Sequence, residues 1–316
     1  MYVLPKTHRR RQANMRNLTF GIEIELTGIT RETAARVVAG YFNSQARHIG
    51  GSYDKWEAHD QQGRAWTVVS DSSIRAEKKE GGRTELADTT YRVELVSPIL
   101  NYQDIETLQE LTRTLRRAGA FTNKTCGIHL HVGKERFSAK TLRNLVNIVA
   151  SKEDLIYQAL EVDGNREQRY CKKVNRNFLE ELNRQKPKTL SQLADLWYQG
   201  YYGDRNARYH TSRYHGLNLH SAFRGQTVEF RFFNGTTHAG KIKTYIQFCL
   251  SICYQALSQK SAGPRKTQTT NPKYTFRTWL LRLGMTGDEF KTARLHLLKN
   301  LEGDSAFRNG RPAAGL

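Results

Sequence analysis

Four short segments of this chain alternate apolar residues with charged or metal-binding ones. They are Glu23 and Glu25 in FGIEIEL, Glu94 in YRVELV, His129 and His131 in CGIHLHV, and Glu229 with Arg231 in TVEFRFFN. A period of two is that of a β-strand, so each segment turns its apolar residues to one face and its charged residues to the other. Few folds take four such strands, because carboxylates gathered on one face of a sheet repel one another unless cations stand among them. Divalent ions meet that need. Carboxylate oxygens with an occasional imidazole suit Mg²⁺ or Mn²⁺ better than a structural zinc, which wants Cys and His at closed spacing. Arg231, two residues after Glu229, shares its face and could hold a phosphate through a two-pronged contact.

Singly, each motif is commonplace. An ExE on an alternating strand is usually the solvated face of a half-exposed sheet, an HxH is often a surface or core pair, and an ExR is commonly a cross-strand ion pair. Alternation shows which residues share a face, not which strands are neighbours.

Around these strands the pattern predicts an α+β fold. A helix is expected over Thr30–Arg47 with Thr30 as N-cap, another over Asp104–Ala118 with Ile105, Leu108, Leu111 and Leu115 in one stripe, and a long one opening at Ser138. RAWTVVS at 64–70 reads as a strand ending at Asp71, residues 50–63 as a loop, and RAEKKEGGR at 75–83 as a hairpin tip. SAFRG is expected as the turn between strands at 216–220 and 227–234, followed by an apolar-periodic helix over Thr237–Leu257. Residues 163–214, dense in Lys, Arg, Asn and Tyr, give no clear period. These readings divide the chain into a basic arm at 1–16, a catalytic domain at 17–257, and a linker with a helical extension at 258–316.

Charge limits the choice of partner. Fifty Lys and Arg against thirty Asp and Glu give +20, which implies an anionic partner: ATP, an acidic substrate or nucleic acid. No apolar run approaches the roughly 20 residues of a membrane span. The N-terminus has no apolar segment of the secretory kind, and the four cysteines form no CxxC, so a cytoplasmic compartment with reduced thiols is expected. Neither a P-loop nor a GxSxG elbow is present.

The order GIEIEL, VELVSP, CGIHLHVG, TVEFRFFNGT, with WTVVSDSSI at 66–74 and RYHGLNLH at 213–220, resembles the amidoligases, carboxylate-amine ligases related in fold to glutamine synthetase and glutamate-cysteine ligase. The resemblance runs from Phe20 to Leu257. It implies a curved antiparallel sheet whose concave face holds ATP and two divalent ions, with helices on the other side. By motif, Glu23, His129 and Glu229 would ligate the ion at the transferred phosphate, and Glu25 and Glu94 the second ion, with Asp71 at the second-ion or amine site. Glu85, beyond a longer insertion than the family usually has, is a less secure match. Arg231, His131 and Asn218 are the cofactor contacts so implied. Arg213 joins Arg231, His131 and Asp71 among the catalytic groups, with Arg213, Tyr214 and Asn218 near the substrate carboxylate. Carboxylate and amine substrates follow, an acidic peptide, protein or cell-wall fragment among them. Two other readings use the same features: a basic nucleic-acid-binding protein, and a two-metal nuclease or phosphodiesterase.

Overall fold

A computed structural model describes Gln12 and residues 14–309, so most of the basic arm expected at 1–16 lies outside the described residues. The chain divides into two compact units. The sheet unit holds Thr19–His131 and Arg231–Lys243; the helical unit holds Val132–Phe230, residues 244–309 and the described residues before Thr19.

In the sheet unit β1 (Phe20–Leu26) is followed by α1 (Arg31–Tyr41), β2 (Arg47–Gly50), β3 (Lys55–His59), β4 (Ala65–Val69), a separate hairpin of β5 (Glu77–Glu80) and β6 (Arg83–Leu86), β7 (Val93–Val96), α2 (Ile105–Arg117) and β8 (Gly127–Gly133). The strands lie in the order β2-β3-β4-β7-β1-β8, and the pairs from β2 to β1 run antiparallel. On β1, Phe20, Ile22, Ile24 and Leu26 are all buried, which at roughly 1.5–3 kcal/mol per fully buried side chain anchors the strand through its apolar face. Helix α1 packs on β3, β4 and α2, and Phe42 at its C-cap meets the buried Trp66 ring of β4 at 5.5 Å. The helices therefore cover the apolar face of β4, and the opposite face of the sheet is left to polar side chains.

Local chemistry sets most boundaries. The Thr30 hydroxyl caps α1 by accepting from the Thr33 amide, as expected, but the helix stops at Tyr41, earlier than the periodicity predicts. Asn43 there takes a positive φ of 51°, and β2 opens at Arg47. The expected loop at 50–63 contains β3, a strand hidden by its charged sequence KWEAH: only Ala58 is buried, opposite Trp66. The turn after it is tied by Asp60, whose Oδ1 accepts from the amides of Gln62 (3.0 Å) and Arg64 (2.9 Å). Gly81 and Gly82, with φ of 56° and 81°, close the hairpin predicted at 75–83, which forms a two-stranded sheet of its own.

The helical unit contains α3 (Ala139–Leu160), α4 (Gly164–Arg169), α5 (Arg176–Gln185), α6 (Leu190–Trp197), the short β9 (Leu217–Asn218) and α7 (His220–Arg224). Ser138 opens α3 with a capping box to Thr141. The expected turn SAFRG is a short helix, α7, and β10 (Thr227–Asn234) pairs antiparallel with β9, Glu229 opposite Asn218. The chain enters the sheet unit at Arg231. Helix α8 (Ala239–Ser258) leads to a strap at 260–271 without helix or strand, tied along α3 by Asn147 Nδ2 donating to the Ala262 carbonyl (2.8 Å) and the Thr267 amide to that of Ser151 (2.9 Å). Helices α9 (Pro272–Arg282) and α10 (Lys291–Leu298) follow, Phe276 packing at a tilt and Trp279 edge-on against Phe248 of α8. All four cysteines are buried and none is in a disulfide, and among the described residues no helix is long and apolar enough to cross a membrane.

One glycine is fixed by its surroundings. Gly28, just after β1, has φ +90°, gives its amide to Glu77 O at 2.9 Å, and would place a Cβ within 2.5 Å of the Gly119 carbonyl and the Phe121 ring. Gly28→Ala should cost about 3 kcal/mol, strain and overlap together, whereas Gly50→Ala, also at positive φ but with open space around it, should cost about 1 kcal/mol. Urea midpoints of the two variants check this; equal losses would show that packing at Gly28 contributes nothing.

Candidate active site

The polar face of β1 is where the carboxylates meet. Register puts Glu25 directly opposite Glu94 of β7, and Val69 of β4 opposite Glu94 from the other side, so the chain beyond β4 brings Asp71 to the same place. Like charges directly opposite in a sheet are unfavourable unless something compensates. From β8, His129 Nδ1 lies 2.8 Å from Glu23 Oε2 while its Nε2 lies 3.8 Å from Glu25 Oε1, and His131 Nε2 lies 3.3 Å from Glu23 Oε1. Glu25 also accepts from the Gly127 amide, and Asp71 from the Ser73 amide at 2.7 Å. Ligand atoms of Glu23, Glu94 and His129 fall within 4.8 Å of one another, as do those of Glu25, Asp71 and Glu94, so either trio could hold a metal ion. Glu94 belongs to both.

Crowding splits the carboxyl groups. Burial pushes the Glu23 carboxyl up, but the His131 charge and hydrogen bonds from His129 and His131 outweigh it and hold Glu23 well below the usual range. Glu94 is shifted the other way: burial first, then the charges of Glu23, Glu25 and Asp71, drive it well above that range against the opposing Arg231. Arg231, buried on β10, is thus electrostatically part of this cluster.

Apart from Glu85, the remaining residues expected at the site lie in the helical unit. Glu229 is buried there and accepts from Asn218 Nδ2 at 2.6 Å, while Asn218 Oδ1 takes the His220 amide at 2.8 Å. Arg213 lies over the rings of Tyr209 (5.1 Å) and Tyr214 (5.5 Å). Glu85 faces Lys78 on the exposed hairpin strand β6. Two contacts that shape the carboxylate cluster have no signature in sequence. One is the Gly127 amide aiming Glu25; the other is buried Arg31, whose guanidinium donates to the Arg92 carbonyl (3.0 Å) at the entry to β7 and to Asp54 (2.6 Å).

The family described as "Putative amidoligase enzyme" matches residues 16–253. The chain belongs to that family. The carboxylates, the histidines and Arg231 all lie within the matched span, and membership makes this a ligase-class enzyme. No curated protein matches the chain. Among solved structures it is similar to a bifunctional glutathione synthetase from Pasteurella multocida, with 11% identity and a TM-score of 0.44, covering 92% of this chain. The chain spans about half of that protein, 49% of its length, and a likeness of this degree decides neither fold nor chemistry.

The raised Glu94 has a consequence for this amidoligase-family protein. A carboxyl whose folded pKa exceeds its unfolded value of about 4.3 binds its proton more tightly when folded, so stability falls as pH rises from there through the folded pKa. Glu23, with a lowered pKa, acts oppositely and only below about pH 4.3. In chelator-treated protein Glu94→Gln should therefore raise the melting temperature at pH 8 and leave it nearly unchanged at pH 4. A variant less stable than wild type at pH 8 would refute the crowding.

Proposed function

We propose that this protein joins a carboxylate to an amine with consumption of ATP, through an acyl phosphate, using two divalent ions, Mg²⁺ or Mn²⁺, on the polar face of the sheet unit. The observation that carries the reading is Glu94 pressed among Glu23, Glu25 and Asp71. Such a group either keeps a proton or is relieved by a cation, and the donors available, carboxylate oxygens with one imidazole, match hard divalent ions. Glu23, Glu94 and His129 would hold one ion, and Glu25, Asp71 and Glu94 the other. When bound, the ions supply neutralisation of the charge that spreads over a transferring phosphoryl group.

The substrate carboxylate oxygen attacks the γ-phosphorus and ADP departs; the amine nitrogen then attacks the acyl carbon, phosphate departs, and the nitrogen loses a proton. The chain's glutamates serve as ligands in this scheme, not as nucleophiles. Arg231 donates to phosphoryl oxygens, where its charge counts most as charge develops, and its burial among carboxylates keeps it in place without reorganisation. His131, beside Glu23, donates to phosphate or substrate. The antiparallel strand pairs, with helices over the apolar face and carboxylates on the other, are in keeping with a glutamine synthetase-like arrangement. The net charge of +20 favours an anionic carboxylate donor such as an acidic peptide, protein or cell-wall fragment.

Calorimetric titration with a non-hydrolysable ATP analogue, with and without Mg²⁺, tests the site. Binding should require Mg²⁺ and weaken at least about tenfold in Glu23→Gln, and ADP formation with carboxylate and amine present should fall roughly 10²-fold or more in Arg231→Ala. Metal-independent binding that Glu23→Gln leaves unchanged would refute the assignment, and cleavage of phosphodiesters without ATP would replace ligation by hydrolysis.

A further inference from the structure

The helical unit carries a second chemical grouping, in the stretch whose sequence gives no period. Between Trp197 and Thr211 the chain forms neither helix nor strand, yet it is pinned from beneath by rings. Tyr198 Oη lies 2.6 Å from His220 Nδ1, Tyr201 Oη 2.7 Å from His215 Nε2, and His210 stacks on His220 at 5.4 Å. Asp204 ties its own turn by accepting from the Asn206 amide at 2.8 Å. The loop is therefore a shaped surface.

Its outer side presents rings and guanidinium groups together. Tyr202 is 96% exposed and Tyr209 52%, and Arg205 and Arg208 are exposed beside them. Arg208 and Arg213 both lie over Tyr209, at 5.4 and 5.1 Å, and exposed Lys172 is bridged through its backbone to His215, next to Tyr214. The stretch from Tyr198 to Tyr214 has three arginines and one acid, Asp204, and Arg205 also pairs with Asp195 at 2.6 Å. A guanidinium over a tyrosine ring can still offer N–H groups to phosphate, while exposed tyrosine faces offer platforms for planar, unpaired bases.

We propose that this face binds single-stranded nucleic acid with little sequence preference, a function separate from amide formation. An acidic peptide would use the guanidinium edges but leave Tyr202 with nothing planar to stack on, and a duplex keeps its bases inside. Exposed rings and cations in one ordered loop fit a strand that offers phosphates and bare bases together.

Fluorescence anisotropy with labelled single-stranded oligonucleotides of mixed sequence, the matching duplex, and polyglutamate tests this on the whole protein. Single strands should bind more tightly than duplex or polyglutamate, with log affinity falling against log salt at a slope of about −2 for roughly three neutralised phosphates. Replacing Tyr202 and Tyr209 together with Ala should weaken binding about tenfold or more, and replacing both with Phe should retain it within about twofold. Arg208→Gln should lower the salt slope by about 0.7. Melting curves establish that each variant is folded. Polyglutamate or duplex binding as tightly as single strands, or single-strand binding that survives the double Ala replacement in folded protein, would overturn the proposal.

Discussion

The pairing of Glu25 with Glu94 across β1 and β7 is the constraint on which the sheet unit turns. Two carboxylates directly opposite, with Glu23 and Asp71 close by, form an arrangement that a sheet does not adopt for its own sake. It persists because the other face of the same strands is bound so firmly: Phe20, Ile22, Ile24 and Leu26 on β1, with Val93 and Leu95 on β7, are all buried. A one-residue slip would exchange the faces, burying the acids in the core and exposing the apolar residues, so the hydrophobic pattern locks the register that forces the carboxylates together.

Histidine and arginine shape the repulsion without removing it. His129 reaches Glu23 through one ring nitrogen and approaches Glu25 with the other, so a single imidazole spans the acidic pair of β1. Arg231 offsets part of the remaining charge. The result is a separation among chemically identical groups: the Glu23 carboxyl is held well below the usual range and the Glu94 carboxyl is driven well above it. Because Glu94 belongs to both ligand trios, a cation bound at either would compete with protons, and its binding would depend on pH.

How much of this was legible in the sequence follows from which signals are local. Alternation in GIEIEL, VELV, GIHLHV and TVEFRFF depends only on a period of two, and each became a strand. Thr30 and Ser138 were readable as caps because a cap is a contact within four residues. KWEAH was missed because β3 buries only Ala58 and so lacks the apolar rhythm of a strand; its place is set by Trp66 across the sheet. HSAFR was read as strand end and turn, whereas the Asn218 side chain accepts the His220 amide and starts a helix. The strand neighbours that create the Glu25–Glu94 opposition lie about seventy residues apart in sequence, beyond any periodicity. Alternation marked each of them as facing one way, and the resemblance as well as the spacing pointed to them as a group.

An acidic cluster within a protein of net charge +20 is consistent once range is considered. Screening at physiological salt reduces the pull of surface charges beyond about 8 Å, so the basic surface governs how an anion approaches. Within the cluster, contacts are shorter and partly removed from water, and the local carboxylates dominate there. A polyanion such as ATP is thus drawn by one set of charges and would be repelled by the other unless divalent ions lay between. The same logic separates the two groupings of the chain. On the two proposals, the carboxylate face would admit phosphate only with metal, whereas the Tyr198–Tyr214 loop, with three arginines and one acid, would take phosphate without it. Chelation should therefore distinguish them, abolishing nucleotide binding at the first while sparing oligonucleotide binding at the second.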